Sequence, residues 1–151
     1  MIHGVEFKQL RPNVDERGFL MELLRSDDPI FSKFAQCYVS MNYPNVVRAW
    51  HYHKRQDDHF VVVKGTCKVV MYDLREDSPT HGEVQEVFLG EQAPVMVKVP
   101  IGVAHGYKTV GTEPSFLINF PTELYDRNDP DEFRMEWNTP EIPYDWDIKF
   151  K

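Results

Sequence analysis

The chain has 151 residues, of which 42% are hydrophobic and 27% charged, which is enough apolar sequence for one compact domain. Its formal net charge of -7 is opposite in sign to the basic surface of a nucleic-acid-binding protein. No apolar run approaches the roughly 18 residues of a membrane-spanning helix, and the first residues do not resemble a signal peptide. We therefore expect a single cytoplasmic domain over residues 1–151, with neither a nucleic acid nor a membrane as partner.

The two cysteines, Cys37 and Cys67, are far apart in the chain and form no CxxC pair. Two cysteines are too few for a disulfide scaffold. We expect both to be reduced thiols within the core.

Short stretches rich in Val, Phe, Tyr and Met recur between turn residues along most of the chain. Their close, regular spacing predicts an all-β sandwich or barrel. The predicted strands cover residues 18–24, 37–42, 46–53, 59–63, 66–72, 84–89, 95–99, 104–109 and 115–119.

Turn chemistry adds a hairpin and one helix to this prediction. Lys64-Gly65-Thr66 stands between two predicted strands, and its glycine can supply the positive φ of a tight hairpin. A helix is predicted over residues 27–35, because Asp28 can cap its first turn and Pro29 can occupy it. After about Leu124 the chain becomes acidic and proline-rich, so we expect a tail that wraps the barrel without building it.

Several histidines are placed where one face of a barrel can present them together. His51 and His53 are two residues apart in a predicted strand, so both side chains point to the same face. His105 follows the turn Pro100-x-Gly102 at the start of another predicted strand, and His59 is a further candidate. Imidazoles that line a barrel can bind a metal, bind an anion or act as a base near neutral pH.

Four motifs occur in order along the chain: Asp15-x-Arg17-Gly18-Phe19-x-x-Glu22, Arg48-x-x-His51, Asp73-x-Arg75-x-x-Ser78-Pro79-Thr80-x-Gly82 and Pro100-x-Gly102-x-x-His105-Gly106. Together they resemble the dTDP-4-dehydrorhamnose 3,5-epimerase family of cupins, over residues 13–146. The resemblance implies a cupin jelly-roll β-barrel that needs no cofactor. It also implies a homodimer, which we expect to form through an N-terminal strand, and a nucleotide-linked 4-keto-6-deoxy sugar as substrate.

The resemblance assigns roles to individual residues. In the family, the histidine of the Arg-x-x-His motif removes the proton α to the ketone, which makes His51 the expected base. A positive or hydrogen-bonding group must meet the enolate oxygen, and His53, His59 and His105 are the expected neighbours of the sugar. The residues at family positions that contact the nucleotide-sugar are Arg17, Glu22, Asn42 and Arg48, of which the arginines suit bidentate phosphate binding. The candidates for stacking on the nucleotide base are Phe19, Tyr38 and Tyr43.

The chain also departs from the family at three positions. Asn119 stands where the family has the tyrosine that serves as general acid, and we expect Tyr125 to be its replacement. His59 stands in place of a lysine that stabilises the enolate, and Thr139 in place of the aspartate that orients the base. With the acid displaced, proton exchange with solvent is expected to exceed net epimerisation.

Two other functions fit the same sequence. His51-x-His53, Asp58, Gly65 and the turn that leads to His105 resemble the metal-binding cupin signature, with Asp58 where glutamate is usual. Imidazoles and one carboxylate would suit Fe, Mn, Ni or Zn. The other possibility is a non-catalytic sugar-nucleotide-binding cupin or an enzyme similar to a 3,4-ketoisomerase.

Overall fold

The structure is a computed structural model that describes residues 1–149, so the last two residues of the predicted domain lie outside it. Within these residues the chain forms β-strands and no helix, which confirms the predicted all-β architecture. The strands are β1 (Glu6–Gln9), β2 (Asn13–Asp15), β3 (Gly18–Leu20), β4 (Tyr38–Asn42), β5 (Val47–Tyr52), β6 (Asp58–Lys64), β7 (Thr66–Asp73), β8 (Val84–Gly90), β9 (Val95–Val99), β10 (Val103–Val110), β11 (Ser115–Asn119) and β12 (Phe133–Arg134). No described helix has the length and apolarity that a bilayer crossing requires.

The strands form two antiparallel sheets that pack face to face. Sheet I has the order β1-β9-β6-β11-β4, and sheet II has the order β12-β5-β10-β7-β8. Strands β2 and β3 pair with each other in a separate hairpin. The sequence prediction missed β1, β2 and β12, which are short and carry few buried residues.

Alternate residues of both sheets point inward and form the main core. In β6 these are Phe60 and Val62, and in β7 they are Cys67, Val69 and Met71. This alternation follows from the two-residue period of a strand. The barrel is therefore filled with apolar side chains along most of its length.

The C-terminal tail covers the outer face of sheet II. Ile142 and Trp146 are buried against Trp50, Val70 and Ala104 of that sheet. The ring centroids of Trp50 and Trp146 are 5.0 Å apart. The tail also extends the sheet, because its strand β12 pairs with β5.

The helix predicted over residues 27–35 is wrong, because this stretch is an irregular segment on the outer face of sheet I. The Asp28 carboxylate accepts hydrogen bonds from the Arg25 amide and the Lys8 ammonium. The Ile30 side chain is buried on this face, while its carbonyl oxygen lies 3.0 Å from His59 Nε2. Because His59 engages the Ile30 carbonyl, that group is not available for the backbone hydrogen bonds of a helix.

The hairpin predicted at Gly65 is also wrong, although the glycine has the expected positive φ of 70°. Strand β6 belongs to sheet I and β7 to sheet II, so the two strands do not pair. The turn instead carries the chain from one sheet to the other. A Cβ atom at this position would lie 2.6 Å from the Pro114 carbonyl oxygen, which leaves no space for a side chain.

The expectation for the cysteines is half correct. Cys67 is fully buried and donates a hydrogen bond to Ser115 Oγ at 3.0 Å. Cys37 is exposed, because it directly precedes β4, which lies at the edge of sheet I.

Strands β5 and β10 approach each other closely at Gly106. Their pairing is interrupted by a register shift between His105 and Tyr107. A Cβ atom at Gly106 would lie 2.8 Å from the Arg48 carbonyl oxygen and still closer to the Ala49 side chain. The absence of a side chain at this position lets the two strands pair beside the site.

Candidate active site

A cavity of about 360 Å³ opens between the two sheets at one end of the barrel. This volume lies within the usual range for small-molecule sites. Strands β4, β5, β6 and β10, the loop after β11 and the C-terminal tail all contribute to its wall. The predicted site residues in this wall are Tyr38, Arg48, His51, His53, Asp58, His105 and Tyr125.

The strand register brings the predicted histidines together. His51 of β5 pairs directly with His105 of β10, and their ring centroids are 6.4 Å apart. The His53 ring centroid lies 5.4 Å from that of His105. His51 and His53 both face the cavity, as the two-residue period predicted. Trp50, which precedes His51, and Tyr52, which lies between the two histidines, face the tail.

Asp58 is at the centre of this group and is only 2% exposed. Its Oδ2 atom lies 3.0 Å from His53 Nε2 and 3.1 Å from His105 Nε2. Its Oδ1 atom accepts hydrogen bonds from Gln56 at 3.0 Å and from Asn119 at 2.9 Å. The carboxylate is therefore held from both sides.

Backbone carbonyl groups fix the orientation of both imidazole rings. His53 Nδ1 contacts the Asp131 carbonyl oxygen, and His105 Nδ1 lies 3.1 Å from the Val103 carbonyl oxygen. Because a carbonyl oxygen only accepts, each Nδ1 carries a hydrogen. The Nε2 atoms are thus the ones directed at Asp58.

Asp58 and the neighbouring histidines shift one another's pKa values. Burial alone would raise the pKa of Asp58, but hydrogen bonds from His105 and His53 hold it well below its usual range. Burial opposes the charged form of His53, and the Asp58 carboxylate outweighs this effect and raises the pKa of His53. The carboxyl group of Asp58 is therefore ionised at neutral pH.

His51 has a different environment from the other two histidines. Burial and the neighbouring His105 lower the pKa of His51 to about 4. The Glu132 carboxylate of the tail approaches His51 Nε2, at 3.9 Å. His51 is thus a neutral imidazole at physiological pH, and a neutral imidazole can accept a proton.

His59 and Asn119 were predicted in the site but do not line the cavity. His59 points to the outer face of sheet I, where its ring nitrogens lie 3.0 Å from the carbonyl oxygens of Phe120 and Ile30. Asn119 points inward but lies behind Asp58, and it is fully buried. The alternation in β6 therefore places Asp58 in the cavity and His59 outside it.

Asn119 links three parts of the site wall. Its Nδ2 atom donates to Asp58 Oδ1 and to the Tyr38 hydroxyl, each at 2.9 Å. Its Oδ1 atom accepts the His59 backbone N–H at 3.0 Å. Every polar atom of this amide is therefore engaged.

Arg48 enters the cavity from β5, three residues before His51. Its Nε atom donates to Asn42 Oδ1, and Asn42 is 1% exposed. Of the four predicted nucleotide-binding residues, Arg48 thus faces the cavity and Asn42 is the buried amide that orients it.

Three predicted residues lie away from the cavity of their own chain. Arg17 is on the β2–β3 hairpin with its side chain 85% exposed, paired with Asp15. Glu22 forms an ion pair with Arg25 at 2.8 Å in a separate surface groove. Thr139, expected at the position of an orienting carboxylate, is outside the cavity wall, and Glu132 is the carboxylate nearest to His51.

Sequence reasoning missed the contribution of the tail to the cavity. Asp131 accepts hydrogen bonds from the backbone amides of Lys54, Arg55 and Gln56, at 2.9, 2.8 and 3.1 Å. This contact fixes the tail across the cavity and places Glu132 in its wall. Nothing in the irregular tail sequence predicts this contact. Sequence reasoning also missed Tyr107 in the cavity wall. That residue could have been predicted, because it is two residues from His105 in β10 and such residues share a face.

Comparison with known proteins agrees with this geometry. The profile of the dTDP-4-dehydrorhamnose 3,5-epimerase family matches residues 1–151. The chain belongs to this family. It is therefore an epimerase-type enzyme, and its fold is the expected cupin β-barrel.

Individual relatives cover nearly the whole chain. It is 42% identical to the spore coat polysaccharide biosynthesis protein SpsL of Bacillus subtilis, over 100% of both chains. It is 49% identical to the probable low-salt glycan biosynthesis epimerase Agl13 of Haloferax volcanii, covering 98% of this chain and 96% of the relative. The solved dTDP sugar isomerase of Desulfovibrio desulfuricans G20 superposes with a TM-score of 0.91 at 32% identity, covering 96% and 92% of the two chains.

Proposed function

We propose that the enzyme epimerises a dTDP-linked 4-keto-6-deoxyhexose at one or both carbons next to the ketone. The observation that carries the proposal is that His51, a neutral imidazole, projects into the same cavity as Arg48. A hydrogen on a carbon α to a ketone becomes removable when a base lies against it and the enolate oxygen is stabilised. The cavity supplies both kinds of group.

In this mechanism His51 removes the proton from the sugar carbon, and His105 on the neighbouring strand stabilises the enolate oxygen. Glu132 approaches His51 Nε2 and would help to orient the ring, the role that sequence comparison assigned to the missing aspartate. His105 lies directly across from His51, with His53 beside it, and its Nε2–H, which bonds Asp58, would be shared with the enolate oxygen. Asp58 holds both of these rings in place.

The nucleotide would be held by its diphosphate. Arg48 faces the cavity and Asn42 orients it, and an arginine can bind a phosphate through two parallel hydrogen bonds. Arg17 and Glu22 lie too far from their own cavity to take part in this way. They can contact the nucleotide only if a second chain brings them to it.

A homodimer would provide that arrangement. The β2–β3 hairpin exposes Val14, Phe19 and Leu20 around Arg17, and exposed apolar patches commonly mark protein interfaces. We therefore propose that this N-terminal hairpin packs against the partner chain and carries Arg17 and Glu22 to the partner's nucleotide.

The decisive experiment is incubation of the enzyme with dTDP-4-keto-6-deoxyglucose in heavy water. NMR should locate deuterium at C3, C5 or both, and at no other carbon of the sugar. A 3,4-ketoisomerase would in addition move the carbonyl group. Binding without any exchange would indicate a sugar-nucleotide-binding protein and would contradict the epimerase proposal.

One observation favours metal binding as a second candidate function. The ligand atoms of His53, Asp58 and His105 lie within 4.8 Å of one another, and backbone carbonyl groups fix both rings through Nδ1, as is common for histidines that bind metals. His51, the fourth predicted ligand, is not in this group. A metal held by the three residues would polarise the ketone oxygen of the substrate.

Elemental analysis separates this candidate from the first. Near-stoichiometric Fe, Mn, Ni or Zn in the purified enzyme, with loss of exchange after chelation, would support metal binding. Exchange that survives exhaustive chelation would leave the metal-independent epimerase as the function.

A further inference from the structure

We propose that Tyr38 is the general acid of this enzyme and donates a proton to the same carbon from which His51 removes one. The inference rests on the proposed epimerase function, because it supplies the second half of that reaction. It differs from the sequence expectation, in which Tyr125 replaced the missing acid at Asn119 and Tyr38 was a candidate for stacking on the nucleotide base.

Tyr38 and His51 approach the cavity from opposite walls. Tyr38 belongs to β4 of sheet I and His51 to β5 of sheet II, and both line the cavity between the sheets. Inversion of a carbon requires that the proton leave from one face and return to the other. A base on one sheet and an acid on the facing sheet satisfy this requirement.

The hydrogen-bond pattern at Asn119 leaves the Tyr38 proton available. Asn119 Nδ2 donates to the Tyr38 oxygen, and the same amide is oriented by Asp58 and by the His59 backbone. A tyrosine hydroxyl that accepts one hydrogen bond still has its own O–H to donate. The residue at the position of the missing acid thus holds another acid in place.

The other tyrosines of the cavity are less suited to this role. The Tyr107 hydroxyl donates its proton to Ser40 Oγ at 3.0 Å. Tyr125 is 54% exposed and comes from the loop after β11, at the rim. Tyr38 is itself 47% exposed, but its hydroxyl lies against the fully buried Asn119, inside the cavity.

The protonation of Tyr38 agrees with a donor role. Desolvation and the nearby Asp58 charge raise the pKa of Tyr38 to about 12, so the phenol keeps its proton at neutral pH. After donation, the phenolate would still accept the hydrogen bond from Asn119. Asn119 therefore stabilises the deprotonated acid.

The proton balance of the step is complete. His51 takes the proton from the carbon, and the electron pair of that C–H bond delocalises onto the ketone oxygen. The Tyr38 O–H then protonates the opposite face of the carbon as the ketone re-forms. The His51 imidazolium releases its proton to water, and the Tyr38 phenolate recovers one from water.

Tyr38→Phe tests this role, since it removes one oxygen and leaves the ring. In heavy water His51 can return a deuteron to the face from which it removed the proton, so exchange does not require the acid. We expect Tyr38→Phe to lower net epimerisation of dTDP-4-keto-6-deoxyglucose at least about 100-fold, while exchange falls only slightly. The wild-type enzyme should epimerise at a rate comparable to its exchange.

Controls separate the acid from the base and from general damage. Tyr72→Phe, on the outer face of sheet II, should leave both rates unchanged. Asn119→Leu should raise the ratio of exchange to epimerisation as Tyr38→Phe does, whereas a purely structural loss would lower both rates together. Circular dichroism should show that each variant is folded.

The outcomes distinguish the two proposals. Normal epimerisation by Tyr38→Phe, with loss only in Tyr125→Phe, would overturn the role of Tyr38 and leave the epimerase function standing. A wild-type enzyme without exchange would overturn the proposed function itself.

Discussion

His51 and His105 are register partners in the antiparallel pairing of β5 and β10, with ring centroids 6.4 Å apart. This pairing places a neutral imidazole opposite one that is hydrogen-bonded to a buried carboxylate. The two histidines therefore differ in chemistry although they face the same cavity.

Replacing the base should stop the reaction at its first step. We expect His51→Ala to lower both solvent exchange and epimerisation by at least about 100-fold, the usual contribution of a general base. Proton exchange followed by NMR in heavy water measures the first rate. His81→Ala, in an exposed turn, is the control, and normal exchange by His51→Ala would exclude His51 as the base.

The pH dependence of exchange should reflect the lowered pKa of His51. Because burial lowers it to about 4, the neutral, active form persists well below the ordinary histidine pKa of about 6.5. The rate constant kcat/KM for exchange should thus stay level as the pH falls from 8 to 5 and decline only below that range. An inflection near pH 6.5 would show that another group controls the reaction.

Reversing the charge of Arg48 should weaken nucleotide binding. We expect Arg48→Glu to raise the Kd for dTDP at least about tenfold, equivalent to about 1.4 kcal/mol, in isothermal titration calorimetry. Lys64→Glu is a suitable control, since Lys64 is exposed at the other end of β6, about 20 Å from Asp58. Equal Kd values for the two variants would place the diphosphate elsewhere.

The oligomeric state should depend on the apolar surface of the β2–β3 hairpin. A charge at the exposed Phe19 would have to be desolvated in an interface, so Phe19→Asp should convert a dimer to a monomer in multi-angle light scattering. Phe88→Asp, at an exposed phenylalanine of β8, should remain dimeric. A wild-type monomer, or a Phe19→Asp dimer, would argue against this interface.

Asp73 should be important for stability and not for catalysis. It is fully buried, and its carboxylate accepts hydrogen bonds from Arg75, Ser78 and Thr80. Removing the charge from such a buried network costs about 3 kcal/mol, so Asp73→Asn should shift urea unfolding to lower concentration while exchange per folded molecule is retained. Asp77→Asn, exposed in the same loop, should unfold like the wild type.

The same carboxylate should make stability sensitive to acid. Burial would raise the pKa of Asp73, but its partners, led by Arg75, hold it far below the usual value. A lowered folded-state pKa gives stability that is present above the unfolded value of about 4 and is lost as the pH falls further. Asp73→Asn should therefore lose less stability than the wild type between pH 4 and pH 2.

The sequence predicted the histidine group because its signals are local. The spacing of His51 and His53 sets their common face, and the turn before His105 begins a strand. Local sequence does not predict whether Asp58 or His59 faces the cavity. Both faces of β6 are covered, so its apolar run shows no alternation that would distinguish them. Only the three-dimensional packing decides which of the two faces the cavity.

Long-range contacts account for the other differences. The position of Glu132 depends on the hydrogen bonds of Asp131 to backbone amides more than 70 residues away, which no periodic pattern reveals. The motif around Asp73 supported the family resemblance, yet it forms a turn outside the cavity wall. A motif can therefore identify a family through its framework as well as through its site.

Gly106 sets how closely β5 and β10 approach each other at the site. Any side chain there would collide with the backbone of Arg48 and with Ala49 and would force β5 away from β10. Because Arg48, the proposed phosphate ligand, and His51, the proposed base, are carried by the same strand, that displacement would move both away from His105. A side chain at Gly106 would therefore separate the proposed base from the proposed enolate partner on β10, while the spacing of Arg48 and His51 along β5 would stay the same.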